Sequence, residues 1–277
     1  MFVSPQISAL QRHFMRAPST LFTALALLAP LAARADDVVT YPYPCVEHVH
    51  RTMPRVDAHV VVVDLACAAV EVYSTRPRAR ASTVSAFARD TGAQIAINAN
   101  FFESSACGLA VGERSVWHDT YYDRCRSSFA FGPTDTATRA SLFDSFEHTR
   151  INPFPWAWNV VTGWPTLLRQ GATVFEPEEP LGMYRYHPRT AIGTTTGGTH
   201  LVIAVVDGRR SGLPGMTSLE MVPLLEEFAV ADAINLDGGG SSALFIEREG
   251  GVVNRPSDRV ERNVANHLGI RITAPQR

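Results

Sequence analysis

The 277-residue chain contains no lysine: all 25 of its basic residues are arginine. That absence removes Schiff-base chemistry and any phosphate loop built around a lysine. Arginine is scattered from Arg12 to Arg277 without a basic run, and the formal net charge is −2. Such a balance argues against nucleic acid as a partner. No G-x-S-x-G sequence is present to expose a serine nucleophile, and no C-x-x-C pair of the kind that holds zinc. Gly/Ser linkers and internal repeats are missing too. What remains is 45% hydrophobic and 19% charged, with mean hydropathy −0.01. This is globular composition, and it excludes disorder, collagen-like repeats and a coiled coil.

Residues 1–35 read as an export signal. Arg12, His13 and Arg16 give a positive start, and Leu21 to Ala33 is an apolar stretch too short to span a bilayer core of roughly 30 Å as a helix. Ala33-Arg34-Ala35 then supplies a small-x-small cleavage pattern. Removing this segment takes three arginines, leaving 22 against 27 acidic residues and a net charge of −5 over residues 36–277. No later run is long and apolar enough for a membrane span, so a secreted or periplasmic protein is expected. All four cysteines, Cys45, Cys67, Cys107 and Cys125, lie after the signal. An even count in an exported chain predicts two disulfides with three possible connectivities, and sequence proximity favours Cys45–Cys67 and Cys107–Cys125.

Residues 36–277 carry no linker and are expected to form one domain. Ala58 to Leu65 and Val70 to Ser74 alternate like a hairpin; Thr83 to Thr91 has helical spacing, with Ser82 as a cap and Gly92 as a stop. Gln94 to Ala99 reads as a short buried strand. The segment from Glu103 to Arg126 reads as a long loop stapled by cysteine, and Arg150 to Trp164 as loop plus strand with three of the four tryptophans. Thr190 to Thr195 and His200 to Val206 predict a second hairpin. A helix is expected over Ser218 to Phe228, with Ser218 as cap and Pro223 implying a kink or late start. Strands follow at Ala233 to Leu236, Ala243 to Glu247 and Asn266 to Ile272. The expected fold class is α+β, with mixed β-sheets and packed helices.

Chemistry concentrates in a few segments. In Asn235-Leu236-Asp237-Gly238-Gly239-Gly240-Ser241-Ser242, three glycines follow a buried strand. They predict positive φ, close backbone approach and a nest of N–H groups for an anion. Asp237 stands at the strand end, where a carboxylate can do acid–base work. His187-Pro188-Arg189 places a guanidinium fork at the start of a strand. Asp207-Gly208-Arg209 closes another strand, and Asn254 to Arg262, with Asp258, Glu261 and Arg262, is dense in charge. Asn98 and Asn100 put amides at a buried strand end, where every polar group needs a partner.

Taken together, these stretches resemble the phosphodiester glycosidase family. The matching segments are Ile97 to Phe102, Gly108 to Gly112, His187 to Gly193, Val206 to Arg209, Asn235 to Ser242 and Asn254 to Asn266. Two departures stand out: Ala99-Asn100 where the family favours glycine-containing pairs, and Arg259-Val260 where glycine is usual after Ser-Asp. The resemblance implies hydrolysis of a sugar 1-phosphodiester or a related glycan linkage. The leaving group is then a phosphate monoester, acidic enough to need little protonation. The demand shifts to fixed positive potential, from Arg189, the amides of Gly238 to Gly240, Arg209 and Arg262. Asp237 is the first choice for the carboxylate that activates water, with Glu261 and Asp207 in reserve. Asn98, Asn100, His187, Asn235, Ser241 and Ser242 complete the expected substrate contacts. Asp207, Asp237 and Asp258 are of a type that binds Ca²⁺ or Mg²⁺, but no D-x-D motif joins any two of them, so no cofactor is called for. The alternative is a non-catalytic glycan-binding accessory protein for exopolysaccharide, stacking Trp156, Trp158 and Trp164 on sugar rings.

Overall fold

A computed structural model describes residues 37–79, 81–144, 154–174 and 184–273. The export segment and residues 150–153 of the tryptophan-rich stretch lie outside the described residues. The chain opens with three strands, β1 (Asp37–Tyr43), β2 (Val46–Met53) and β3 (Val56–Asp64). β4 (Val70–Ser74), α1 (Val84–Thr91) and β5 (Ile95–Asn98) follow. Next come the short β6 (Val111–Gly112) and β7 (Ser115–Val116), then β8 (Ser127–Pro133), β9 (Thr138–Asp144) and β10 (Asn159–Gly163). β11 (Thr166–Arg169) and β12 (Ala172–Thr173) precede the hairpin of β13 (Arg189–Thr195) and β14 (His200–Val206). The chain continues through α2 (Ser218–Glu226), β15 (Val230–Asn235), β16 (Leu244–Ile246), β17 (Gly251–Val252) and β18 (His267–Ile272).

The strands form three sheets, ordered β1-β2-β3-β14-β13-β15-β11-β12, β7-β6-β10-β8-β9 and β17-β16-β5-β18-β4. Their described pairings are antiparallel, including β13 with both β14 and β15. Side chains alternate across each strand, so one face of each sheet turns inward. Val61, Val63, Ile192 and Ile203 of the large sheet meet Ile95, Ile97 and Leu268 of the third sheet and Phe129 and Phe131 of the second in one core. Burying each such side chain stabilises the fold by roughly 1.5–3 kcal/mol.

The two helices cover outer faces. Met221, Val222, Leu225 and Phe228 pack on Val60, Ala204 and Val206, and Phe87 and Ala88 pack on Tyr73, Ala96 and Phe245. The fold is therefore more β-rich than α+β: among the described residues the helices number two, and neither sits between strands of a parallel sheet. The helix caps lie one residue away from the expected positions. Thr83, not Ser82, accepts from Ala86 N, and Gly92 ends α1 at φ 72°. Thr217, not Ser218, forms a capping box with Glu220, and α2 starts at Ser218 despite Pro223.

One expected hairpin does not form. β3 is already paired with β2 and β14 along both edges, so β4 cannot join it. The turn between them bonds Cys67 N to Asp64 O and Val70 N to Cys67 O, and hands the chain to the third sheet, where β4 pairs with β18. The disulfide Cys45–Cys67 ties that turn to the start of β2, and Cys107–Cys125 closes the loop before β8.

Candidate active site

β13 begins where β14 and β15 end. Arg189 pairs with Val206, and Ala191 pairs with Asn235, so His187–Arg189, Asp207–Arg209 and Asp237 emerge along one sheet edge. Asp237 is clamped there: its N–H donates to Ala99 O at 3.0 Å, and its carbonyl accepts from Asn98 Nδ2 at 2.6 Å. Its carboxylate accepts from Gly238 N at 2.8 Å and faces Ser241, Arg262 and Arg209. Burial raises its pKa from 3.8 to about 6, against the pull of the Ser241 and Gly238 hydrogen bonds and the two arginines.

The glycines explain how two guanidinium groups approach this carboxylate. A Cβ on Gly239 would stand 2.7 Å from Arg209 Nη2, and one on Gly240 would overlap Arg262 Nη2 and the Asp258 carboxylate. A Cβ on Gly238 would come within 2.7 Å of Pro188 O. Bare backbone is thus the surface against which the arginines lie. Of the three, only Gly239 has positive φ, at 63°. The expected anion nest is corrected: Gly238 N is bonded to Asp237, and Gly239 N to Pro188 O at 2.9 Å. Positive potential comes from side chains instead. Arg262 donates from Nη2 to Asp258 Oδ2 at 2.6 Å and from Nη1 to Ser241 Oγ at 3.5 Å. Arg209 Nη2 lies 3.5 Å from His187 Nδ1, and burial followed by the charges of Arg189 and Arg209 lowers the His187 pKa.

Arg189 lies deeper, donating to Met216 O and Arg185 O at 3.0 and 2.8 Å. Burial and then Arg209 lower its pKa to about 10. Several expected contacts turn out to be framework. Asn98 and Asn100 are 0% and 1% exposed. The Asn98 amide joins Asp237 O, Thr190 Oγ1 and Ala243 N; that of Asn100 joins Cys107 O, Thr162 N and Asn266. Asp207 accepts from Asn254 Nδ2 and Arg255 N, and Glu261 takes Ser85 N and Oγ at the first turn of α1. Neither reserve carboxylate is aimed at Asp237. Asn235 donates to Trp164 O and Leu236 O, while its Oδ1 and the Ser242 Oγ are buried without a hydrogen-bond partner among the described residues. Asp207, Asp237 and Asp258 are held separately and form no metal-binding group among the described residues.

Arg139 covers Trp156, Arg114 covers Trp158 and Arg124 covers Trp164, at 4.2, 3.9 and 5.7 Å from the ring centres. Tyr121 is a residue that sequence reasoning passed over: burial, then the charges of Glu103, Asp123 and Asp237, raise its pKa. The staple at Cys107–Cys125 was the available signal, since Gly108 N donates to Tyr121 O across it. Arg259 takes φ 69°, the conformation natural to the glycine usual at that place.

The site thus joins a carboxylate to guanidinium groups on a three-sheet, antiparallel β fold. The chain belongs to the phosphodiester glycosidase family, whose model matches residues 91–271. Over 84 residues it is 44% identical to the uncharacterized SPbeta prophage-derived protein YomE of Bacillus subtilis (strain 168), a match covering 30% of this chain and 13% of that protein. The chain therefore spans a small part of that relative's length. In fold it is similar to the zebrafish N-acetylglucosamine-1-phosphodiester alpha-N-acetylglucosaminidase catalytic domain, auto-inhibited by its pro-peptide. That match has TM-score 0.64 and 19% identity over 85% of this chain and 81% of the other. A hypothetical Synechocystis protein matches with TM-score 0.62 and 14% identity, covering 87% and 64% of the two chains. A Burkholderia pseudomallei K96243 protein described as exported matches with TM-score 0.58 and 15% identity, covering 79% and 74%.

Proposed function

We propose that this protein is an exported hydrolase that cleaves a glycosyl phosphodiester, a sugar linked through its anomeric oxygen to phosphate carrying a second group. The observation that carries the proposal is the meeting of Asp237, Arg209 and Arg262 on the triple-glycine turn. The phosphodiester anion lies between the two guanidinium groups, with Arg189 and His187 behind them. The Asp237 carboxylate accepts a proton from water as the water oxygen bonds to the anomeric carbon. The C–O bond breaks, and the phosphate monoester departs with the electron pair onto oxygen, where the arginines stabilise it. Tyr121 lines the sugar side, and Ser241 orients Asp237. Export is supported by the residue 1–35 pattern and by two disulfides.

The test is hydrolysis of aryl and nucleotide-linked N-acetylglucosaminyl phosphates in ¹⁸O-labelled water. The proposal expects turnover, label in the sugar rather than the phosphate, and loss of turnover in Asp237→Ala. Wild-type protein inert across a broad glycosyl-phosphate panel, yet retaining glycans on an array, would select the non-catalytic binding alternative.

A further inference from the structure

A second group of ionisable side chains lies on β2 and β3, where Asp57 O accepts from Asp207 N at 2.9 Å. His48 and His50 are two residues apart on β2 and so share a face; Asp57 and His59 do the same on β3. His50 stands directly opposite His59 in the register, which puts all four in one cross-strand cluster. His48 Nε2 lies 3.0 Å from His59 Nδ1, and His50 Nε2 lies 2.8 Å from Asp57 Oδ1. Ligand atoms of His50, Asp57 and His59 all fall within 4.8 Å of one another. A tetrahedral zinc ion with bonds of about 2.0–2.1 Å sets its ligand atoms roughly 3.3 Å apart, so the His50 ring, stacked on His59 with centres 4.2 Å apart and planes 9° from parallel, has to turn out of that stack to share an ion with it.

The surroundings orient one ring for this task. Glu249 Oε2 lies 2.7 Å from His48 Nδ1, off the line of an ideal hydrogen bond, and Glu249 Oε1 accepts from Thr40. A carboxylate there holds the His48 proton on Nδ1, so Nε2 accepts from His59 Nδ1–H. The His59 Nε2 lone pair is then left for a cation. His59 is buried, whereas the His50 side chain is 38% exposed and opens a path from solvent. Burial, then the neighbouring His50, His48 and Arg255, disfavours a charged His59 ring.

We propose that His50, Asp57 and His59 form a binding site for one divalent transition ion of the zinc class, with His48 and Glu249 as positioning residues. Binding moves the His50 proton from Nε2 to the other ring nitrogen, so that a neutral imidazole and the Asp57 carboxylate both present lone pairs to the ion, and water fills the fourth position. The site is independent of the hydrolase proposal. The test is calorimetric titration of the full chain, free of any polyhistidine tag, with ZnCl₂, alongside zinc-edge X-ray absorption. Expected are one ion per chain, two imidazole nitrogens and a carboxylate oxygen at about 2.0–2.1 Å, and affinity weakened 10–100-fold in Glu249→Gln. His50→Gln and Asp57→Asn should each lose binding while melting as cooperatively as wild type, and Asp237→Asn should bind zinc unchanged. Absence of binding in wild type, or binding that survives both His50→Gln and Asp57→Asn, overturns the proposal.

Discussion

Asp237 is held where its charge is costly to the fold. Its carboxyl releases a proton at about pH 6 in the folded chain, against an ordinary value of 3.8, so folding favours the protonated form. The linkage follows directly: the favourable contribution is complete below pH 4 and is lost as pH rises through 6. The resulting penalty at neutral pH is on the order of 2–3 kcal/mol. Asp237→Asn keeps the acceptor for Gly238 N while removing the charge. It should raise the melting temperature at pH 8, with the gain vanishing near pH 4, and abolish turnover; calorimetry at the two pH values checks this. An equal gain at both would mean that the charge is not the cause. Gly240→Ala is a second test at this scale. Its methyl group displaces Arg262 from Asp258, so kcat/KM should fall about 100-fold or more through loss of one charge-stabilising group, with cooperative melting retained.

The cleft is built by three strand ends and the bridges that bind them across sheets. Asn98 at the end of β5 reaches Asp237 O and Thr190 Oγ1, locking the third sheet to the large one beneath the site. Asn98→Ala leaves buried partners unsatisfied and should cost about 2–5 kcal/mol in denaturant melts, whereas Thr217→Ala at the start of α2 should cost only about 1 kcal/mol. Much of this was legible in the residues. Short apolar runs bounded by turn residues marked β13 to β16, and the Gly-Gly-Gly turn marked the candidate site. Asn98 was expected to touch substrate because a strand-end amide looks alike in both roles; only the packing of Asp237 against it decides. The β3–β4 hairpin failed for a related reason, since alternation reveals a strand but not which neighbour occupies its edge. His48-Val49-His50 was passed over as a ligand pair, and its partners on β3 become visible only through register.

Across the whole molecule, the disulfide Cys107–Cys125 closes the loop that carries Tyr121, whose carbonyl accepts from Gly108 N. Its sequence separation of 18 corresponds to about 3 kcal/mol of unfolded-state entropy. Cys107→Ser/Cys125→Ser should lower the denaturant midpoint accordingly and raise KM, since the loop borders the cleft. An unchanged KM would place that loop outside substrate contact. No helix among the described residues is long and apolar enough to cross a membrane. Cell fractionation with N-terminal sequencing of the mature chain should find it outside the cytoplasm, starting at Asp36. The most direct test of the hydrolase proposal is the pH dependence of kcat/KM for an N-acetylglucosaminyl phosphodiester. A base at Asp237 predicts a rate that climbs through a midpoint near pH 6 and levels off above it. A rate that falls over the same interval, or an unaltered rising limb in Asp237→Asn, contradicts it.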